Sequence, residues 1–286
     1  MSKLSFEKFV AQLRDAGLQK GDVVHVQSDL ARIGLVDAAP SRERILEFLC
    51  AGFFDVLGKE GTLSVGTSFE DYARYGVPFV VEESPSRQGA FSEYVRTRPG
   101  ALRSVHPIVS ISAVGPKSEF LCGGPHFDGF GYQSAWARLH RLNAKIMAFG
   151  LGVEHEGGTT FFHYLEHLYG VPYQYTKVYR TPVVKAGREV SGTFTMSVRY
   201  LDYRIVNDTL QFKRRLVQQG KAIDAPTGRA RSMVARCEDI ISCGMESLDQ
   251  DRYFLLAEPP HFRQGEVPMD GPTGAMQKIY DQKQPA

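Results

Sequence analysis

Short apolar segments alternate with amphipathic ones from the N-terminus to Tyr169, and this alternation restricts the fold more than any other feature of the sequence. Strands that alternate with helices are typical of a parallel sheet covered by helices on both faces. We therefore predict an α/β fold with three layers, α/β/α, and a mostly parallel central sheet. The predicted strands are 22–27, 62–65, 108–114 and 145–149, and the predicted helices are an opening helix that ends at Gly17, 41–57, 134–142 and 160–169.

The residues after Tyr169 follow a different pattern. Two β segments, 175–184 and 193–200, are joined by the polar turn 186–189, which indicates a β-hairpin. The pattern then predicts helices near 207–219 and 231–246 and a last strand at 254–256.

We expect a single domain over residues 1–286. Its core extends to about residue 185 and is followed by the β-hairpin and helical extension up to about residue 258. Residues 259–286 are rich in Pro, Gly and Gln, which predicts a loose tail.

The composition argues against several classes of protein. Lys and Arg number 34 against 32 Asp and Glu, a net charge of +2, so the chain lacks the basic excess of a nucleic-acid-binding protein. No apolar run is long enough to cross a membrane, and the N-terminus has no apolar signal-peptide core. We therefore expect a cytoplasmic protein without nucleic-acid or membrane partners. The four cysteines form no CxxC pair, which favours packed, reduced thiols over a cysteine-ligated zinc site.

Three loops follow predicted strands and are candidates for a ligand site. They come after Gln27, after Val65 and after Phe149. The carboxyl ends of parallel strands meet at one edge of a sheet, and ligands bind at that edge in open α/β folds. The loop after Phe149 is rich in glycine and leads directly into the helix predicted at 160–169.

His163 and Glu166 lie three residues apart in that helix and therefore share one helix face. A carboxylate beside an imidazole can orient the ring and stabilise its charged form, as a general base requires. Two other interpretations remain open at this point. His163 could be a capping or core histidine, or His163 and His167, at zinc-helix spacing, could bind a metal ion.

Two further segments carry side chains that a ligand could use. Arg103 precedes His106-Pro107, which favours an extended entry into the next strand, and this arginine could contact a phosphate or stay on a solvated surface. In 128–139, glycines allow a close backbone approach, and Ser134 is a predicted N-cap for the following helix.

Taken in order, these segments resemble the aminoglycoside 3-N-acetyltransferase family, whose members use acyl-CoA. The resemblance covers roughly residues 15–185 and rests on five blocks. The blocks are Gly21–Ser28 with Ile33-Gly34, Gly61–Leu63 with Gly66–Phe69, Arg103–Pro107 with Ala113–Gly115, Phe130–Leu139, and Gly150–Val153 with Thr160–Glu166.

The resemblance implies a direct transfer from acetyl-CoA or another acyl-CoA, without a metal ion and without a covalent acyl-enzyme. It implies that His163 is the general base and Glu166 its orienting carboxylate, with Thr67 and Ser68 near the developing oxyanion. It also implies a set of cofactor-binding residues. That set comprises Ser28, Asp29, Leu30, Ile33 and Gly34 in one turn, and Arg103, Ser104, His106 and Ser110 near the pantetheine or the phosphates.

The acceptor is less constrained than the donor. The block 130–139 has Ser134-Ala135 where family members often have Ser-Pro. The near-neutral charge and the arginines of the variable loop region favour an anionic acceptor over a polycationic one. We therefore predict acylation of a nucleotide-linked amino sugar from surface-polysaccharide biosynthesis. The alternatives are an aminoglycoside N-acetyltransferase conferring antibiotic resistance, a non-catalytic protein that binds CoA, and a zinc hydrolase. A homodimer is the expected assembly on base rates.

Overall fold

The computed structural model describes residues 3–200, 203 and 205–262. Its helices are α1 (Phe6–Asp15), α2 (Leu30–Ile33), α3 (Arg42–Leu57), α4 (Asp71–Tyr75), α5 (Ala90–Arg96), α6 (Ser118–Cys122), α7 (Ala135–Arg141), α8 (Thr160–Tyr169), α9 (Leu210–Gln218) and α10 (Cys237–Gln250). Its strands are β1 (Val23–Ser28), β2 (Thr62–Gly66), β3 (Phe79–Val80), β4 (Leu102–Arg103), β5 (Ile111–Val114), β6 (Lys145–Phe149), β7 (Gln174–Tyr179), β8 (Val183–Lys185), β9 (Arg188–Glu189), β10 (Phe194–Arg199), β11 (Ala222–Thr227) and β12 (Ala230–Arg236).

A 7-stranded sheet forms the centre of the molecule, in the order β11-β12-β6-β1-β2-β5-β4. β1 pairs in parallel with both β6 and β2, whereas the outer neighbours pair antiparallel. As a result β11, β6, β1, β2 and β4 run in one direction, and only β12 and β5 run in the other. The predicted α/β class with a mostly parallel central sheet is confirmed.

Helices cover both faces of this sheet because its strands are apolar on both sides. Val24 and Val26 of β1 pack into a core formed with α1, α3 and α5. His25 points to the other face, where its ring lies 4.8 Å from that of Trp136 in α7. The core on that face is completed by side chains of α6, α8, α9 and α10. This is the predicted three-layer arrangement.

Two smaller sheets stand apart from the central one. β7 and β10 pair antiparallel from Tyr179 with Phe194 to Gln174 with Arg199, which agrees with the predicted pairing of these two segments. Between them, β8 and β9 form a short hairpin of their own, in which Ala186 adopts a φ of 49° at the turn. β8 also pairs in parallel with β3.

The C-terminal part departs from its prediction in two places. Residues 230–236 form strand β12 beside β6, so the helix predicted at 231–246 was wrong in its first turns and begins only at Cys237. The strand predicted at 254–256 was also wrong, since only Leu256 makes an isolated bridge, to Asn207. The helix predicted near 207–219 is present as α9.

Residues 263–286, most of the predicted tail, lie outside the described residues. In the part of the chain that is described, no helix has the length and apolarity needed to cross a membrane.

Candidate active site

The carboxyl ends of β6, β1 and β2 meet at one edge of the central sheet, so the three predicted loops lie side by side. The side chain of Gln27 accepts a hydrogen bond of 3.0 Å from the backbone N–H of Thr160 and thereby ties the start of α8 to the end of β1. A cavity of about 410 Å³ opens at this edge, and its opposite wall is the β7/β10 pair. Thr160 and His163 of α8 line it.

His163 and Glu166 form a short hydrogen bond inside this helix face. Nδ1 of His163 lies 2.6 Å from Oε2 of Glu166. The His163 side chain is 38% exposed, whereas that of Glu166 is fully buried. The i, i+3 spacing therefore brings the two groups together as the sequence predicted, with the imidazole at the cavity and the carboxylate behind it.

The Glu166 carboxylate is surrounded by three donors from outside α8. The Tyr173 hydroxyl (2.8 Å) and the Asn207 side-chain amide (2.8 Å) donate to Oε1, and the Gln174 amide (2.9 Å) donates to Oε2. Burial alone would raise the pKa of Glu166, but the charge and hydrogen bond of His163 and the other donors lower it below its usual value.

An ionised Glu166 decides which nitrogen of the His163 ring carries a proton. A carboxylate accepts hydrogen bonds only, so Nδ1 of His163 donates to it. Nε2 is then the nitrogen without a proton in the neutral ring, and it can accept a proton from a molecule in the cavity. The arrangement is that of a general base with an orienting carboxylate.

His167, the second histidine of α8, has a different partner. Its Nδ1 lies 2.7 Å from the Ser197 hydroxyl of β10. Among the described residues, no three His, Cys, Asp or Glu side chains come together as metal ligands. The zinc interpretation of His163 and His167 thus finds no ligand set in this part of the chain.

Thr67 and Ser68, the predicted oxyanion donors, have different surroundings. Thr67 is fully buried, its backbone N–H donates to the carbonyl of Ser110 at 2.8 Å, and its hydroxyl lies 3.3 Å from that of Ser110. Ser68 lines the cavity. The structure therefore brings Ser68, and not Thr67, to the cavity wall.

The predicted cofactor turn lies at the same edge of the sheet as α8. Asp29 caps α2, since its side chain accepts a hydrogen bond from the backbone N–H of Ala31, and it also pairs with Arg32 at 2.8 Å. Arg32 in turn lies 3.2 Å from Nδ1 of His155 in the loop after β6. The loops after β1 and β6 are therefore in direct contact.

Within that turn, Ser28 ends β1, Leu30 and Ile33 belong to α2, and Gly34 ends the helix with a φ of 87°. Ile33 is buried in the core under the sheet edge, so it supports the turn rather than facing a ligand. None of these residues lines the cavity that contains His163.

Arg103 has a place inside the protein. Its guanidinium donates to the backbone carbonyls of Val81, Ser84 and Thr67, and it stacks on the ring of Phe79 at 4.6 Å. Burial lowers the pKa of Arg103 to about 9. Because its donors hold backbone oxygens, the predicted phosphate contact finds no support in this geometry.

Ser104, His106 and Ser110 are also fully buried and bind backbone groups. The Ser104 hydroxyl accepts from the N–H of Ile111 at 3.0 Å, and Ser110 donates to a backbone carbonyl at 2.8 Å. Nε2 of His106 donates to the carbonyl of Thr195 in β10 at 3.0 Å, and burial lowers the pKa of His106 to about 4. These residues hold the strands around the site and do not line the cavity.

Several residues of the site were not predicted. Gln27, Tyr173, Gln174 and Asn207 act on α8 from other parts of the chain, and nothing in their local spacing marks them. The only signal was indirect, since a buried glutamate needs donors from its surroundings.

Lys213 of α9 is a further unpredicted residue, because its neighbourhood in the sequence resembles a solvated basic helix face. Its side chain is fully buried, and its ammonium group, which has three N–H donors, lies within hydrogen-bond distance of four carbonyls of the loop after β6. The acceptors are those of Leu151 (3.3 Å), Gly152 (3.1 Å), His155 (2.5 Å) and Gly157 (2.9 Å). The ammonium group fixes the loop that leads into α8.

A family model described as aminoglycoside 3-N-acetyltransferase matches residues 24–249 of the chain, a span that includes the whole site. The chain belongs to this family. The aminoglycoside N(3)-acetyltransferase VII of Streptomyces paromomycinus is 27% identical over 206 residues, 65% of this chain and 68% of that protein. The aminoglycoside N(3)-acetyltransferase III of Serratia marcescens is 27% identical over 267 residues, 86% of this chain and 97% of that protein.

Solved structures of aminoglycoside acetyltransferases have the same fold. AAC-IIIb, solved with CoASH, superposes with a TM-score of 0.72 at 22% identity, over 91% of this chain and 100% of that one. AAC-VIa, solved with sisomicin, gives a TM-score of 0.73 at 23% identity, over 87% of this chain and 98% of that one. The predicted family and the predicted N-acyltransferase class are confirmed.

Proposed function

We propose that this chain transfers an acetyl group from acetyl-CoA to a primary amine of an amino sugar, with His163 as the general base. The observation that carries the proposal is the His163–Glu166 hydrogen bond of 2.6 Å at the wall of the cavity. A half-exposed imidazole backed by a buried, ionised carboxylate is the arrangement that general-base catalysis needs.

The reaction follows from this geometry in two proton transfers. The acceptor amine attacks the thioester carbonyl while Nε2 of His163 takes a proton from the amine, and Glu166 stabilises the imidazolium that forms. When the C–S bond breaks, the imidazolium returns the proton to the thiolate, which leaves as CoA-SH. Ser68 lies on the cavity wall and is the better placed of the two predicted oxyanion donors.

The donor site is proposed at the turn 28–34. This turn follows β1, contacts the loop after β6 and lies beside the start of α8. The structure of AAC-IIIb with CoASH supports an acyl-CoA donor for the present protein. Arg103, Ser104, His106 and Ser110 take part in this proposal only as buried supports of the neighbouring strands.

The comparisons bear on the acceptor as well. The relatives are named as aminoglycoside acetyltransferases, and AAC-VIa was solved with sisomicin. They favour the aminoglycoside class, the alternative prediction, and give no support to the nucleotide-linked amino sugar that was predicted first. An aminoglycoside is therefore the reference acceptor for any assay of this protein.

The proposal is tested by thiol release from acetyl-CoA with a deoxystreptamine aminoglycoside and with simple amino sugars as acceptors. His163→Ala is expected to lower kcat about 10²- to 10⁴-fold, because the proton acceptor is lost. His167→Ala is the matched control, since it removes the other histidine of α8, and it should retain most of the activity. Equal turnover by wild type and His163→Ala would refute the assignment.

A second measurement separates the zinc interpretation from this one. If both histidine variants were inactive and the purified protein contained stoichiometric zinc, the pair would be metal ligands. If wild-type protein bound CoA but released no thiol with any amine, the chain would be a binding protein on an acetyltransferase fold.

A further inference from the structure

Asn207 lies between two groups that can each form hydrogen bonds in one sense only. Its side-chain oxygen accepts from Nη1 of Arg199 at 2.6 Å, and its side-chain NH₂ group donates to Oε1 of Glu166 at 2.8 Å. A guanidinium only donates hydrogen bonds, and an ionised carboxylate only accepts them. Because the two ends of an amide differ in this respect, one orientation of Asn207 satisfies both neighbours and the flipped one satisfies neither.

The end of the β7/β10 pair holds both oxygens of this carboxylate. Arg199, the last residue of β10, is half-buried and lies opposite Gln174, the first residue of β7. Gln174 donates directly to Oε2 of Glu166 at 2.9 Å. Arg199 reaches Oε1 through Asn207, and its Nη1 also donates to the carbonyl of Ile205 at 3.0 Å. The strand pair that forms one wall of the cavity thus also carries groups that orient the carboxylate.

We propose that Arg199 is a positioning residue for the acetyl transfer, which acts on Glu166 through Asn207. By holding Glu166 in place, it keeps Nδ1 of His163 as a donor and Nε2 as the proton acceptor. The inference rests on the proposed role of His163 as general base and is independent of which amine is acetylated. Hydrogen bonds in a chain polarise one another, so the guanidinium makes the amide NH₂ group a stronger donor to the carboxylate.

Removal of the guanidinium has a definite effect on protonation in the site. The amide becomes a weaker donor to Glu166, and a positive charge near the imidazole is lost. Both changes favour the protonated ring, so the acid limb of the pH profile of kcat/KM should move to higher pH. The substitution leaves the other titratable or charged groups of the described residues around the pair in place. These are Tyr173 on Oε1, His167 on α8, and Glu70, Arg74 and Lys177 on the cavity wall.

The experiment is a double-mutant cycle with Arg199→Met, Asn207→Leu and the double variant, assayed by thiol release from acetyl-CoA. A deoxystreptamine aminoglycoside and a simple amino sugar serve as acceptors. Arg199→Lys tests for rescue, since an ammonium group also only donates hydrogen bonds. Arg180→Met is the matched control, because it removes an exposed arginine just beyond the far end of β7.

Arg199→Met and Asn207→Leu are each expected to lower kcat about 10- to 100-fold, the worth of one hydrogen bond to a charged group. The double variant should lose no more than Asn207→Leu alone, because Arg199 acts through the amide. The loss should be the same for both acceptors, with KM unchanged, since the positioned group is the base rather than a ligand. Arg199→Lys should recover part of the loss, and Arg180→Met should stay within about threefold of wild type.

Two further readouts distinguish positioning from a general loss of structure. The acid limb of kcat/KM should move up by about 0.5–1 pH unit in Arg199→Met and stay in place in Arg180→Met. Nitrogen NMR of isotope-labelled histidine reports which ring nitrogen carries the proton, and the His163 signals are assigned by their absence in His163→Gln. Wild type should have the proton of the neutral ring on Nδ1, and Arg199→Met and Asn207→Leu should have a smaller share of that tautomer.

Losses that multiply in the double variant would show that Arg199 acts by another route and would overturn the proposal. Since Arg199 also lines the cavity, a loss confined to one acceptor or to KM would assign it to a binding site instead. An unchanged His163 tautomer in an Arg199→Met protein with the circular dichroism of wild type would also overturn it. A lack of thiol release by wild type with every acceptor would count against the proposed function itself, and the NMR measurement, which needs no turnover, would still decide the role of Arg199.

Discussion

Replacing Glu166 by Gln tests how the site holds its base, because the substitution keeps the shape of the side chain and removes its charge. The amide oxygen of the new side chain can still accept from Tyr173 and Asn207 at the Oε1 position. The amide NH₂ then occupies the Oε2 position, where it faces Nδ1 of His163 and the amide of Gln174.

This exchange forces His163 into the other tautomer. The NH₂ group donates to Nδ1, so the proton of the neutral ring moves to Nε2, the nitrogen that has to accept a proton from the amine. A tautomer change of this kind costs about 10⁴-fold in kcat in serine proteases, and we expect a loss of about 10³- to 10⁴-fold here. The affinity for both substrates should change little, because Glu166 is fully buried behind the ring.

The effect on stability is smaller because two terms oppose each other. All four hydrogen bonds to the carboxylate lose their charged acceptor, and a bond to a charged group is worth about 1.5–3 kcal/mol against about 0.5–1.5 kcal/mol for a neutral one, but the cost of burying a charge is also removed. We expect a net loss of about 1–3 kcal/mol in the free energy of unfolding at neutral pH, measured by urea denaturation.

The pH dependence of stability has a definite sign. The folded protein lowers the pKa of Glu166, so its contribution to stability is present above the unfolded pKa and is lost as the pH falls through the folded value. The Gln variant should lack this contribution, and the difference in unfolding free energy between wild type and variant should shrink in acid.

Tyr173→Phe is the matched control for the Gln variant. It removes one donor from the same carboxylate at the Oε1 side but leaves the charge and the His163 tautomer unchanged. Its stability should fall by about 1–3 kcal/mol while kcat falls less than about tenfold. Equal losses of kcat in the two variants, or a fully active Gln variant, would refute the tautomer argument.

Two further predictions concern the loop after β6. Lys213→Met should lower the free energy of unfolding by at least about 3 kcal/mol, because the carbonyls that its ammonium group binds lose a charged donor. Urea denaturation measures this loss, and a value below about 1 kcal/mol would contradict the prediction. Gly150→Ala should raise KM for acetyl-CoA, since Gly150 has a φ of 76° and an added Cβ would lie 2.6 Å from the carbonyl oxygen of Asp29 in the proposed donor turn. Gly157→Ala is the matched control: its φ is 94° and the added Cβ would meet open space, so it tests backbone strain alone. If KM for acetyl-CoA were unchanged in Gly150→Ala, or rose equally in both variants, the turn 28–34 would not be part of the donor site.

The elements that the sequence predicted well are those defined by local contacts. The i, i+3 geometry of α8 places His163 and Glu166 together whatever surrounds the helix, and Ser134 accepts from the N–H of Ala137 as an N-cap does. β6 was predicted with its observed bounds because four of its residues, Ile146 to Phe149, form a continuous apolar run.

The prediction was wrong where neighbours decide the structure. Residues 230–236 include Ala, Met and Arg, which favour helix in isolation, yet they form β12 because β6 offers a free edge and β11 completes a hairpin. Similarly, Arg103 and Lys213 look like surface cations in the sequence. In the fold, both are enclosed by backbone carbonyls that only the tertiary structure brings together.

Patterns in the sequence were enough to predict the α/β class, the loops at the carboxyl ends of three strands and the imidazole–carboxylate pair. Each of these follows from periodicity or spacing within one or two elements, which the chain encodes over short distances. The donors that hold Glu166 and the side chains that line the cavity can be identified only in the folded protein. Spacing does not reveal those contacts, because they join residues far apart in the chain and form only when separate elements pack.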